Sequence, residues 1–166
     1  MRTKLMIAMA GIAALLLARN LYVILLELPD EAAQGAIYRI IFFHVPAAWT
    51  AFLCFFAAMI ASILYLVKKD LRHDAFAASA TEVGLAFGAA NLISGMIWAR
   101  IIWGIWWTWD PRLTTATIME LVYIAYLMLR QGIDDPERRA RFGAVYAIVG
   151  FLSVPLTFFS IRIFRT

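Results

Sequence analysis

Residues 40–67 read IIFFHVPAAWTAFLCFFAAMIASILYLV, without one Asp, Glu, Lys or Arg. A hydrocarbon core about 30 Å thick takes about 20 helical residues to cross, so this stretch spans a bilayer with length to spare for tilt or a bend. Outward from it, Leu5 to Leu26, Ala77 to Trp98, Leu113 to Leu129 and Phe142 to Ile161 are apolar at similar length. Alternating ten-residue strands that could close a barrel are absent, which leaves helices as the spanning form. The whole chain agrees: its 166 residues are 64% hydrophobic and 16% charged, where a soluble domain carries roughly half and a quarter. The mean hydropathy is +0.80. The expectation is an all-α polytopic transmembrane bundle of about five spanning helices, forming a single domain over 1–166.

Several function classes fall away. No G-x-x-x-x-G-K-[ST] cradle is present, so the chain is not the ATP-hydrolysing part of a pump. The single cysteine, Cys54, makes no intrachain disulfide, no C-x-x-C pair and no C-x-x-C-H haem attachment. Internal repeats and low-complexity segments are absent. Arg2 and Lys4 precede the first apolar run, as in a signal peptide, but Arg19-Asn20-Leu21-Tyr22 offers no small-residue cleavage site, so an uncleaved anchor is expected.

The net charge of +4 belongs to orientation rather than to nucleic acid. Arg2, Lys4, Lys68, Lys69, Arg72, Arg130, Arg138, Arg139 and Arg141 lie on one side of the bundle. Arg39, Arg100, Arg112, Arg162 and Arg165 lie on the other, with Arg19 inside the first span and snorkelling toward the nearer surface. The positive-inside rule puts the richer side and the N-terminus in the cytoplasm. The loop after the first helix and the loop between the third and fourth then face outward.

Those two loops hold the unusual chemistry. Trp103-Gly104-Ile105-Trp106-Trp107-Thr108-Trp109-Asp110-Pro111-Arg112-Leu113-Thr114 packs four of the six tryptophans into seven residues. An interfacial aromatic belt is one reading, and a flat surface for a large planar ligand is the other. If the segment is helical, Trp103, Trp106, Trp107 and Asp110 share a face. Asp110 before Pro111 is a favoured helix start, the carboxylate accepting orphan N–H groups. Arg112 and Arg100 can hold ligand carboxylates or lipid phosphates.

His73 reads as a solvated loop residue. His44 lies among Phe42, Phe43 and Trp49 near the outer end of the second span, where an imidazole must find a hydrogen bond or coordinate something. Imidazole is a common haem iron ligand, tryptophans can flank a porphyrin and arginines can take its propionates. Glu82 and Glu120, inside the third and fourth spans, read as interhelical hydrogen-bonding groups or a proton path. Gly84, Gly88, Ser94 and Gly95 read as close helix packing, and Pro155 as a bend in the fifth helix.

The outer string resembles the tryptophan-rich WWD signature of haem-handling membrane proteins. More narrowly, Pro29-Asp30, Gln34-Gly35, Tyr38-Arg39-Ile40, His44-Val45-Pro46-Ala47-Ala48-Trp49 and Trp103 through Thr114 resemble the CcmC family, the haem-delivery subunits of cytochrome c maturation. The likeness runs from about residue 29 to residue 160. It implies a non-enzymatic protein of the bacterial inner membrane that presents haem at the outer face to a CcmE-like haem chaperone, with CcmA-like and CcmB-like ABC-type subunits associated and only lipid besides. Under it His44 is the axial iron ligand, and Trp103, Trp106, Trp107, Trp109 and Asp110 form the haem and chaperone surface. Arg112 and Arg39 join them as cofactor-binding residues.

Two features depart from the family. Its second histidine, three residues after a proline in the fifth helix, is Phe158 here in Pro155-Leu156-Thr157-Phe158-Phe159-Ser160, and phenylalanine cannot ligate iron. The family's further outer loop and sixth helix are missing before Thr166, so a shortened relative is expected. The second axial ligand is therefore unassigned, and haem is expected as a transient cargo. Two rivals remain: a membrane scaffold subunit without haem, and a quinone-binding subunit.

Overall fold

In the computed structural model, residues 2–164 are described, the side chains of Arg2 and Ile161 excepted. Arg165, counted above among the outer charges, lies outside the described residues. The helices are α1 (Arg2–Tyr22), α2 (Ile41–Lys68), α3 (Leu71–Trp103), α4 (Pro111–Gln131), α5 (Pro136–Gly150) and α6 (Ser153–Phe164). A π-helical turn, Val23–Glu27, extends α1, and a 3-10 turn, Ala36–Ile40, precedes α2. Among the described residues, β pairing is limited to one bridge between Glu31 and Gly35. Five segments are long and apolar enough to cross a membrane: Thr3–Glu27, Ala36–Lys68, Leu71–Trp103, Pro111–Gln131 and Pro136–Ser160. The all-helical, five-span architecture is the one the apolar lengths predict.

The boundaries differ where capping outweighs hydropathy. α3 runs past the predicted Ala77–Trp98 at both ends. Asp70 accepts the Arg72 N–H at 2.9 Å and starts it six residues earlier. The Arg72 side chain donates to the same carboxylate, and these bonds hold Asp70 down at about 2. His73 is therefore in the first turn of α3, not in a loop. The helix ends at Gly104, whose φ of 75° places it in the left-handed region that glycine enters freely. At about 1.5 Å per residue α3 outreaches a bilayer core, so it tilts or projects.

The last span bends as Pro155 leads one to expect, but one turn earlier. Pro155 cannot donate to the Phe151 carbonyl, and the Val154 N–H takes that oxygen instead at 3.0 Å. The tightened turn at residues 151–152 separates α5 from α6.

The chain packs as two units, Met1–Phe42 and Phe43–Thr166. In the first, α1 leaves its apolar side chains exposed. The segment after it is tied by Arg39, which donates to the Leu28 carbonyl at 2.6 Å and pairs with Asp30 at 2.7 Å. The Glu31 carboxylate accepts the Ala33 and Gln34 N–H groups at 2.9 and 2.7 Å, and Gly35 turns with a φ of 62°.

In the second unit α4 packs on α3, α5 and α6. Its centre is Phe55 stacked on Tyr123, centroids 3.7 Å apart and rings 3° from parallel, among Ala51, Met119 and Val154. The shallow surface of Gly84 admits Phe55: a Cβ there would stand 2.6 Å from its ring. Near the Lys68–Leu71 end of the helices, Arg130 grips the buried Asp74 through both guanidinium nitrogens, one at 2.8 Å. The pair locks α4 to α3 at a defined register.

Candidate functional site

His44 sits in the first turns of α2, half-buried against α3. The face it meets carries Asn91, Ser94, Gly95 and Trp98, which fall together because residues three and four apart share one side of a helix. Asn91 Nδ2 donates to the His44 carbonyl at 2.9 Å and lies 3.2 and 3.3 Å from the two ring nitrogens. Trp98 meets the imidazole edge to face, centroids 5.9 Å apart. Gly95 eases this approach, since a Cβ there would stand 3.0 Å from His44 Cε1, tighter than an ordinary contact.

Ser94 Oγ is 3.0 Å from His44 Nδ1 and 2.8 Å from the Ala90 carbonyl. A hydroxyl has one hydrogen, and back-bonding to the carbonyl four residues earlier uses it. Ser94 Oγ can then accept a hydrogen carried on Nδ1, the tautomer in which Nε2 carries the lone pair and faces the Asn91 amide at 3.3 Å. A histidine that ligates a metal through Nε2 takes this tautomer.

The tryptophan segment begins at the same end of α3. Trp103 is five residues beyond Trp98, about 7.5 Å along the axis. The segment is not helical, so the shared face of Trp103, Trp106, Trp107 and Asp110 does not form: Gly104 closes α3, and residues 105–110 run as an irregular strap to α4. Its shape is held from both sides. Arg100 donates to the Gly104 carbonyl, and its guanidinium stands 5.9 Å over the Trp106 ring. Trp107 and Trp109 pack edge to face at 5.5 Å. Trp103, Trp106 and Trp109 remain 62, 54 and 77% exposed, enough to offer an open aromatic surface.

Asp110 caps α4 as its place before Pro111 predicts. Its carboxylate accepts the Arg112 and Leu113 N–H groups at 2.9 and 3.1 Å and the Thr108 hydroxyl at 2.7 Å. Partial burial alone would raise its pKa. The Thr108 hydroxyl, the two N–H groups and the Arg112 charge outweigh it and hold the carboxyl below its ordinary value. Arg112 is half-exposed with Nε 3.9 Å from Asp110, a loose pair that leaves its other nitrogens available. Arg39 lies in the N-terminal unit, committed to Asp30 and Leu28.

Phe158 on α6 packs with Trp49 and Phe52 of α2, centroids 5.6 and 6.2 Å apart. Its surroundings are an apolar aromatic groove of about 270 Å³ that offers iron no donor. Asn91, Ser94 and Trp98 are absent from the sequence prediction, which reads Ser94 only as a small packing residue. The available signal was the spacing of Asn91, Ser94 and Trp98 inside an apolar span, since a polar residue there implies a partner. Among the described residues no group of three or more His, Cys, Asp and Glu is placed to hold a metal ion.

A family profile described as CcmC, Heme exporter protein C, matches residues 1–166. The chain is 38% identical to Heme exporter protein C of Bradyrhizobium diazoefficiens over 95% of its own length and 60% of that protein's. It is 34% identical to the Paracoccus denitrificans protein of the same name, over 81% of this chain and 56% of the relative. The Escherichia coli K12 protein of that name is 28% identical over 83% and 56%. The chain thus spans less than two thirds of the length of these relatives. With a match along all of its residues, it belongs to the Heme exporter protein C family.

Proposed function

We propose that this chain binds haem as a transient cargo at the end of the bundle that carries His44, and passes it to a CcmE-like haem chaperone during c-type cytochrome maturation. It performs no turnover chemistry of its own, and CcmA-like and CcmB-like ABC-type subunits are its companions in the bacterial inner membrane. The site faces outward, as the distribution of lysine and arginine suggests.

The observation that carries this reading is the supported imidazole. Ser94 and Asn91 hold a half-buried ring, with Ser94 Oγ at Nδ1 and the Asn91 amide beside both ring nitrogens, next to a strap of exposed indoles. In this reading His44 holds the iron, the strap from Trp103 to Trp109 covers the porphyrin, and Asp110 shapes the strap. Arg112 pairs with a propionate, for which bidentate guanidinium bonds are suited. One donor on an open surface suits release: a carrier that saturated the iron and buried the ring could not hand it on. The relatives' name, Heme exporter protein C, supports the same cargo.

The test is the absorption spectrum of protein purified from haem-sufficient cells. Wild type is expected to show a Soret band that His44→Ala loses. No such band in wild type, or an equal band in both, overturns the proposal.

A further inference from the structure

A stripe on α3 continues inward from the His44 contact. Gly88, Asn91, Gly95 and Trp98 follow one another at three, four and three residues, so Gly88 lies on the same face as the residues that hold the imidazole. What meets Gly88 is the carboxyl of Glu120 on α4: any Cβ at residue 88 would fall onto Oε1, and it would stand 2.7 Å from the carboxyl carbon. Glu120 is only 6% exposed, and Oε1 has no hydrogen-bond partner among the described residues. A carboxyl in such a place is costly unless something polar reaches it.

A cavity of about 20 Å³ adjoins it, lined among others by Glu120, Asn91, Thr157 and Gly88. One water needs about 10–15 Å³ and two to four polar neighbours. Asn91 directs Nδ2 at His44, so its Oδ1 is the acceptor it can offer to the cavity. Thr157 directs its hydroxyl hydrogen at the Ser153 and Thr115 carbonyls, 2.8 and 3.0 Å away, and keeps oxygen lone pairs. Two acceptors for a water's two hydrogens are thus Glu120 Oε1 and Asn91 Oδ1.

We propose that one water in this cavity links the Glu120 carboxyl to Asn91 and makes Glu120 a positioning residue for the His44 imidazole. The water anchors the Asn91 amide plane, and the amide anchors the ring. Glu120 touches neither haem nor iron, and its effect on ligation passes through Asn91. The inference deepens the haem reading and rests on it for its consequence, but the geometry it asserts belongs to the haem-free protein.

That separation sets the experiment. The chain has two histidines, His44 and His73, so histidine labelled with ¹⁵N on both ring nitrogens gives four signals in lipid nanodiscs. In haem-free wild type, His44 is expected as one neutral tautomer with hydrogen on Nδ1, and Glu120→Gln, which keeps a hydrogen-bonding carbonyl, is expected to match it. Glu120→Leu and Asn91→Leu are expected to average the His44 signals between tautomers, leaving His73 unmoved. Haem affinity should fall roughly tenfold in Glu120→Leu, the low end of what groups behind a metal ligand contribute. Glu120→Gln should restore it. His44 signals in Glu120→Leu identical to wild type overturn the inference, whatever the haem result. Haem binding that ignores His44→Ala overturns the haem reading instead, and the ring signals still decide the role of Glu120.

Discussion

Replacing Asp110 by Ala removes three acceptor contacts at once, and their geometry sets the scale of the loss. The two N–H groups of Arg112 and Leu113 lose their cap, which costs about 1 kcal/mol within a range of roughly 0.5–2. The Thr108 hydroxyl, 2.7 Å away, loses its acceptor for about 1 kcal/mol more. The Arg112 pair, 3.9 Å apart and half-exposed, adds about nothing. The sum, about 2 kcal/mol, is on the order of a thirtyfold change in local opening. The assay is hydrogen–deuterium exchange of the peptide containing residues 104–114 in nanodiscs, where Arg112 and Leu113 should exchange about thirtyfold faster in Asp110→Ala. Asp110→Asn caps nearly as well and should stay close to wild type. Unchanged exchange in the alanine variant would refute the idea that this carboxylate holds the strap. Haem retention read on the same samples sharpens the point. If Asp110→Asn keeps native exchange yet loses haem, the carboxylate is read by cargo or partner, and shaping the strap is not its role.

The pH dependence of the same cap follows from its direction of shift. A carboxyl held below its ordinary value stabilises the fold fully above that value and loses the contribution as pH falls through the lowered one. Leu113 protection should therefore hold from neutrality down to the ordinary carboxylate value and fall away progressively below it; a loss starting near neutrality contradicts the assignment. Ser94→Ala removes the acceptor for His44 Nδ1 and should weaken His44-dependent haem binding roughly tenfold in a haem titration, without altering helix content. An unaltered affinity would show that Ser94 does not support the ring. Gly84→Ala would place a methyl 2.6 Å from the Phe55 ring while that ring is stacked at 3.7 Å on Tyr123, so the clash has no easy outlet. Overpacking of this kind costs about 1–3 kcal/mol and should lower the melting temperature by several degrees. An unchanged melt would mean that α2 and α3 separate without cost.

Helix ends were legible because capping is local. Asp110-Pro111 announces a start from side chains within a few residues, and α4 begins there. The same kind of signal at Asp70 was present but hidden by hydropathy, since Leu71 to Asp74 reads as a charged turn. The tryptophan segment misleads for a related reason: its helical spacing suggests a shared face, while one glycine at a φ of 75° ends the helix before that face can form. His44 was recognisable as an imidazole in need of a partner, but its partners lie on α3, some fifty residues further along the chain.

The linear order of residues by itself determined that the chain crosses a bilayer several times as helices, because the length of an apolar run and the obligation to pair backbone groups in lipid need no tertiary information. It also determined the family, since motif order along the chain is a one-dimensional property. Only the tertiary structure decided which face of α3 meets α2 and α4, because helix packing depends on how side-chain surfaces fit and on where a glycine permits approach. That choice turns Ser94 from a packing residue into the support of His44, and brings the Glu120 carboxyl against Gly88 beside a cavity shared with Asn91.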